Sequence, residues 1–226
     1  MGRPKEHDER TATALLAAAE AVVHTDGIDA LSVRRVAEEV RTSTRAVYSL
    51  FGSKEGLLAA LGSRAFELIA EGVDQLPITD DPAEDVIAAG ATVFRDFAIG
   101  HPAMFKIAIQ RTIGPAEIAD MFRPAMLQSL RGLQTRIERL SLNGLLDGRS
   151  VSEAAWQFHA LCEGLAALEL RGVFPYREGE RIWRDAVTAL VTGFARPPAE
   201  RPKHRAKRRQ PRTAQYTPTA VPDNRR

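Results

Sequence analysis

Thr44, Arg45, Tyr48 and Ser49 put hydrogen-bonding groups on one side of a short helical stretch, with no carboxylate among them. Thr44 and Tyr48 stand one turn apart, at i and i+4. An Arg fork suits guanine O6 and N7, hydroxyls suit bases or phosphates, and the absence of negative charge suits a polyanion; such a face fits the major groove of DNA. Ser53 and Lys54 add the same chemistry a few residues later. There a Ser caps a helix whose first amides, with a cation beside them, form a site for a phosphate.

These groups need elements to hold them. Val33, Val36, Ala37 and Val40 recur at i, i+3, i+4 and i+7, giving a helix of about two turns with one inward face. Ser32 sits just before the run and is its expected N-cap. Arg41, Thr42 and Ser43 interrupt the pattern with turn and cap residues, and a second helix begins, with Ala46, Val47, Leu50 and Phe51 inward. Gly52 stops it. Upstream, Ala12, Leu15, Leu16, Ala19, Val22 and Val23 make an amphipathic first helix that ends at Asp26-Gly27. The expected unit is a helix-turn-helix whose DNA contacts are Ser32, Arg41, Thr42, Ser43, Thr44, Arg45, Tyr48, Ser49 and Lys54. Arg3 and Lys5, ahead of the first helix, read as a minor-groove arm.

The segment resembles the start of the tetracycline-repressor (TetR) family of regulators. Sequences of that family carry an Ala in the helix before the turn, a Ser opening the recognition helix, then Tyr, Phe and Ser-Lys; here these are Ala37, Ser43, Tyr48, Phe51 and Ser53-Lys54. The phrase Gly27, Ile28, Ala30, Leu31, Ser32, Val33 is similar to the family's approach to that helix. Arg41 departs from the pattern, standing where the family usually has Gly in the turn. Gly there supplies a backbone shape costly for residues with a Cβ. Either the turn differs or Arg41 tolerates the strain, with its guanidinium free to reach a phosphate.

The resemblance implies an all-α fold: an N-terminal three-helix helix-turn-helix DNA-binding domain (residues 1–52) and a larger helical ligand-binding and dimerisation domain with its connector (53–195). The pattern Leu57, Leu61, Ala65, Leu68 continues the connector to about Val73. Asp81-Pro82 starts a helix that runs to about Ile99. A short helix follows from Ala103 to about Gln110, and Gly114-Pro115 opens a long one to about Leu146, kinked or broken at Pro124. Ser150 and Glu153 have capping-box spacing for a helix ending at Gly172, and a last helix spans about Arg177 to Phe194.

In the resembled family the last two helices form a four-helix dimer interface. Trp156, Leu161, Leu165, Leu168, Trp183, Val187, Leu190 and Phe194 are its expected members here, although the same stripes also suit an intrachain core. The piece CEGLAALELRG resembles a regulatory subgroup in which a His-Gly pair precedes a Leu-rich stretch; Glu163 stands where that His would be. Phe94, Phe97, Met104, Phe105, Met121, Phe122 and Met126 come from helices that enclose an effector pocket in the family, and they suit a core equally well. His159 and Glu163, one turn apart, could orient a polar group of a ligand.

Composition bounds the rest. The 226 residues carry a net charge of +2 that is unevenly spread. From Arg196 to Arg226 there are ten Lys or Arg against two acids, which leaves 21 basic against 27 acidic residues before it. That Pro- and Arg-rich tail (196–226) is expected to be disordered and to hold nearby DNA through screened phosphate contacts. A single Cys162 excludes an internal disulfide and suits a reducing cytosol. No apolar run reaches a membrane span, and the charged start does not resemble a signal peptide, so a cytoplasmic location is expected. No paired Glu-x-x-His, HExxH, GxxxxGK[ST] or GxSxG is present, which argues against an enzyme and against a bound metal or cofactor. The sequence thus reads as a ligand-responsive homodimeric repressor acting on a palindromic operator in double-stranded DNA. A helical protein-interaction module without sequence-specific DNA binding is the competing reading, and Arg41 is its support.

Overall fold

The computed structural model describes residues 5–109, 120–175 and 177–196, with side chains from Asp8 onward. Every regular element among them is helical. Arg3, Gly114-Pro115 and the tail beyond Arg196 lie outside the described residues, as does the side chain of Lys5, whose backbone opens the first helix.

Helices α1 (Lys5–Asp26), α2 (Val33–Glu39) and α3 (Thr44–Phe51) form a three-helix head, with a single 3-10 turn (Ile28–Ala30) between the first two. Their apolar stripes meet at Leu15, Ala19, Val36 and Val47, all fully buried. Helix α4 (Lys54–Gln75) leaves the head and runs through the body. Its starting Ser53 accepts the Gly56 amide at 3.0 Å, the side-chain cap expected at that position.

In the body, α5 (Pro82–Ala88) and α6 (Arg95–Gly100) are joined without a break by a π-helical stretch, Ala89–Phe94. The sequence pattern predicts an ordinary helix there, because a π stretch adds one residue per turn without leaving a Gly or Pro mark. The next helix, α7 (Pro102–Met104), also passes into a π stretch, Phe105–Ile109. Helix α8 (Arg123–Leu142) begins with Pro124 in its first turn, so the break expected at this Pro falls just before it, at Phe122. This helix ends sooner than the periodicity suggests. Gly144 turns left-handed (φ 70°) and the Leu145 amide returns to the Leu140 carbonyl at 2.8 Å. Helices α9 (Val151–Leu170), opened by the expected Ser150/Glu153 capping box, and α10 (Gly179–Phe194) are the last two among the described residues.

Three long-range polar contacts lock the body. Arg136 of α8 is buried and donates to the carbonyls of Val73 (2.6 Å), Leu76 (2.8 Å) and Pro77 (3.2 Å), closing the C-terminal end of α4 with a cation where the helix dipole is negative. Arg139 of the same helix pairs with buried Asp85, which also accepts the Thr79 hydroxyl at 2.7 Å. Arg95 and the Trp183 indole both donate to Glu169, at 2.8 and 2.6 Å. One head-to-body contact is polar as well, with His101 Nδ1 2.8 Å from Glu20 of α1 and the His101 ring stacked on Phe97.

Candidate nucleic-acid interface and internal cavity

The turn between α2 and α3 decides how the outward face of α3 is presented. Ser32 Oγ accepts the Arg35 amide at 3.2 Å and opens α2. At its other end the Arg41 amide donates to the Glu38 carbonyl at 3.0 Å and the Thr42 amide to the Ala37 carbonyl at 2.9 Å. This pair of bonds is a Schellman closure, which requires left-handed backbone at its middle residue. Arg41 adopts it, with φ 54°. The turn therefore keeps the shape a Gly would give it, at a cost of about 1 kcal/mol for the Cβ.

Ser43 Oγ then accepts the Ala46 amide at 3.2 Å and starts α3. Ala46 and Val47 point into the head, while Thr44, Arg45, Tyr48 and Ser49 are exposed, Tyr48 by 54%. Charge is sorted between the two helices. Arg34 pairs with Glu38 at 2.8 Å and Arg35 with Asp26, whereas Arg41 and Arg45 make no ion pair among the described residues. The guanidiniums at the turn and on α3 are thus exposed and outside these ion pairs.

Gly52 (φ 75°) ends α3 and α4 starts immediately. Helix α4 crosses the last carbonyl of α3 so closely that a Cβ on Gly56 would overlap the Phe51 oxygen. Only Gly fits there. At the start of α4, the Glu55 backbone amide and the Ser53 hydroxyl hold the Glu55 carboxyl below the usual carboxylate range. Lys54, beside it, is half-exposed.

Behind the head, the body encloses a cavity of about 340 Å3. Phe66, Ile69 and Val73 line it from α4, Ala89 and Phe94 from one π stretch, Ala108 and Ile109 from the other, Met126, Leu130 and Leu133 from α8, and Trp156, His159 and Glu163 from α9. Both π stretches thus face the cavity, consistent with the frequent use of π bulges at functional sites. Trp156, His159 and Glu163 fall at i, i+3 and i+7, one stripe of α9. The His159 ring meets Phe94 and Trp156 edge-on, each 5.9 Å away, and its Nε2 lies 3.7 Å from Glu163.

Comparison with known proteins agrees with this two-part geometry. A family model described as bacterial regulatory proteins of the tetR family matches residues 15–61, and a second, described as a tetracyclin repressor-like C-terminal domain, matches residues 87–190. The chain belongs to the TetR family. A relative, an uncharacterized HTH-type transcriptional regulator of Mycobacterium tuberculosis, is 22% identical over 171 residues, covering 76% of this chain and 75% of the relative. Among solved structures, a protein of unknown function from Rhodococcus sp. RHA1 superposes with a TM-score of 0.70 at 22% identity, over 86% of this chain and 100% of that one. The transcriptional regulator FadR of Bacillus subtilis, solved in complex with stearoyl-CoA, gives a TM-score of 0.65 at 14% identity, over 80% and 98%. This TetR-family chain is accordingly a transcriptional regulator with a helix-turn-helix DNA-binding domain.

Within that TetR frame the expected site residues divide. Those of the helix-turn-helix come together on one surface, with Ser32 and Ser43 used as caps and Thr42 as part of the Schellman closure. Of the expected pocket residues, Phe94, Met126, His159 and Glu163 line the cavity. Phe97, Phe105 and Phe122 do not; they are buried in the core, Phe105 edge-on to Phe94 and Phe122 against Phe66. Met104 is core too, and Met121 is exposed on the outside.

The expected interface is corrected in part. Trp183, Val187, Phe194 and Leu165 are covered within one chain, so they have no surface to give a partner, while Trp156 borders the cavity and is still 56% exposed. Leu161, Leu168 and Leu190 remain half-exposed. Sequence reasoning missed Phe66, Ile69 and Val73 as cavity wall, since connector residues at helical spacing look like any core stripe. It also missed Gly56, whose role shows only when the crossing of α3 and α4 is seen.

Proposed function

We propose that this regulator acts as a ligand-responsive homodimeric repressor on a palindromic operator. The observation that carries the reading is the course of α4, one helix that walls the cavity with Phe66, Ile69 and Val73 and, at its other end, presses Gly56 on the last carbonyl of α3. Any ligand that moves α4 then moves the recognition helix. His101 and Glu20 supply a second route, from the α6–α7 corner to α1. A ligand releases DNA only to the extent that it binds better to a dimer with the wrong spacing of its heads.

Two copies of α3 would enter successive major grooves, about one helical turn (~34 Å) apart. Arg45 and Tyr48 are assigned to base edges, and Thr44, Ser49, Arg41 and Lys54 to phosphates or bases beside them. The dimer is supported by the outward faces of α9 and α10. Ala160, Gly164 and Leu168 on one and Ala186, Ala189 and Gly193 on the other form exposed or half-exposed stripes of small and apolar residues. A Cβ on Gly164 or Gly193 would meet nothing within 4 Å in the chain, so packing within one protomer does not ask for Gly there. Helices of a second copy, packed as a four-helix bundle, would.

The test selects bound DNA from a random pool and measures retardation by the full chain. Enrichment of an inverted repeat with half-sites about one turn apart, together with a dimer on sedimentation, is the expected result. Uniform, sequence-blind retardation would favour the interaction-module reading, and a monomer on sedimentation would remove α9 and α10 as an interface.

A further inference from the structure

We infer that the cavity takes a lipophilic amine, with its apolar body against α4 and α8 and its protonated nitrogen at Glu163. This rests on the cavity being the effector site. Among the described lining residues there is no Lys or Arg, and Glu163 supplies the one formally charged group. An anionic ligand of the same shape would bring its charge to that carboxylate, whose titratable neighbour among the described lining residues is His159, 3.7 Å away. A cationic one gains a charge-assisted hydrogen bond. The Glu163 side chain is 36% exposed, so a charge there does not carry the cost of full burial.

The neighbours fit the same chemistry. Trp156 and Phe94 hold the His159 ring between them, which fixes the imidazole beside Glu163 and leaves aromatic surface close to the charge. Ring faces attract a cation, and more strongly where water is partly excluded. Phe66, Ile69 and Leu130 offer hydrocarbon, and Ser129 adds a neutral hydroxyl to the lining. At about 340 Å3 the space is at the small end of ligand cavities. A compact amine fits it better than a long chain.

A matched series tests this: 4-phenylbutylamine, 4-phenylbutanol and 4-phenylbutanoate titrated into the full-length protein, read by calorimetry and by quenching of Trp156, with release of selected DNA measured in parallel. The amine is expected to bind about tenfold or more tighter than the acid. Glu163→Gln should remove most of that advantage while leaving the alcohol nearly unchanged, which separates lost charge from lost fold. Equal or tighter binding of the acid, or an amine affinity unmoved by E163Q, overturns the amine assignment while the cavity stands as a binding site. Binding of none of the three removes the cavity as effector site and the inference with it. Amine binding without DNA release keeps the ligand class and overturns only the regulatory reading.

Discussion

The head closes its helices with local bonds, whereas the body adds to its local caps polar contacts of much longer reach. In the head, Ser32, Ser43 and Ser53 each accept the amide three residues on, and the end of α2 is sealed by bonds from Arg41 and Thr42 to carbonyls no more than five residues back. In the body, Arg136 closes α4 from 63 residues away, Arg139 meets Asp85 across 54, and Arg95 meets Glu169 across 74. A head built from local rules keeps its shape as a unit when it docks on DNA. A body held by a few long-range polar contacts around a cavity has fewer, larger pieces that can shift.

The sharpest way to break this contrast is at the joint between the two regions. Gly56→Ala puts a methyl group into the Phe51 carbonyl, a backbone atom that cannot swing aside. The expected cost is about 3 kcal/mol, at the upper end for overpacking, with DNA binding lost as α3 tilts. Urea unfolding and DNA retardation measure the two parts; wild-type stability in this variant would show that α3 and α4 are not rigidly coupled. Next is Arg136→Ala at the far end of α4. It removes the side-chain cap from three carbonyls, of which Val73 keeps the Leu76 amide, and is expected to cost about 2 kcal/mol. Operator affinity per folded molecule should change little, because the head closes itself.

That contrast also explains what was legible in the sequence. The head could be read nearly residue by residue, since caps, breaks and inward faces are set by residues one to five apart, and Ser43, Tyr48 and Ser53-Lys54 fell where expected. The helices of the body were readable, and so was the break at Pro124. Their meeting points were not. Two π stretches leave no compositional mark, yet they aim Phe94 and Ile109 into the cavity while Phe97 and Phe105 stay in the core. Apolar side chains at helical spacing do not say whether they will face a cavity, a core or a second copy. Trp183, expected at the interface, is in the core, whereas Trp156 borders the cavity and keeps 56% of its surface exposed.

On the head itself, Arg45→Ala is expected to cost about 2 kcal/mol on selected DNA if Arg45 forks a guanine, with relaxed preference at that base pair. Lys54→Ala should weaken all sequences alike and lower the salt slope by about one unit. Unchanged base preference in the Arg45 variant would take that residue out of the reader set. In the body the counterpart is a pH effect. Burial pushes the Asp85 carboxyl up, but the Thr79 hydroxyl and amide, with Arg139, outweigh it and hold the group below the usual carboxylate range. Stability from this pair is therefore complete above the unfolded value of about 4 and falls away as pH drops through the lower folded value. Asp85→Asn should flatten this acid limb of a pH–stability curve, and an unaltered limb would assign it to other carboxylates.

The smallest expected effect separates the two roles of one residue. Arg41 pays a left-handed backbone for its place in the α2–α3 turn, and Arg41→Gly relieves it, with a gain of about 1 kcal/mol in unfolding free energy reduced somewhat by the looser unfolded chain. If stability were the only issue, the Gly variant would bind DNA at least as well as the wild type. The exposed guanidinium, which forms no ion pair among the described residues, argues for the opposite sign on DNA. Binding should weaken and its salt dependence should flatten by about one phosphate contact. Opposite signs in the two measurements would mean that the strained turn carries a phosphate contact that Gly cannot make. A variant that is more stable and binds equally well would leave Arg41 as a local cost with no return in binding, and would move the DNA-facing positive charge of the head onto Arg45 and Lys54.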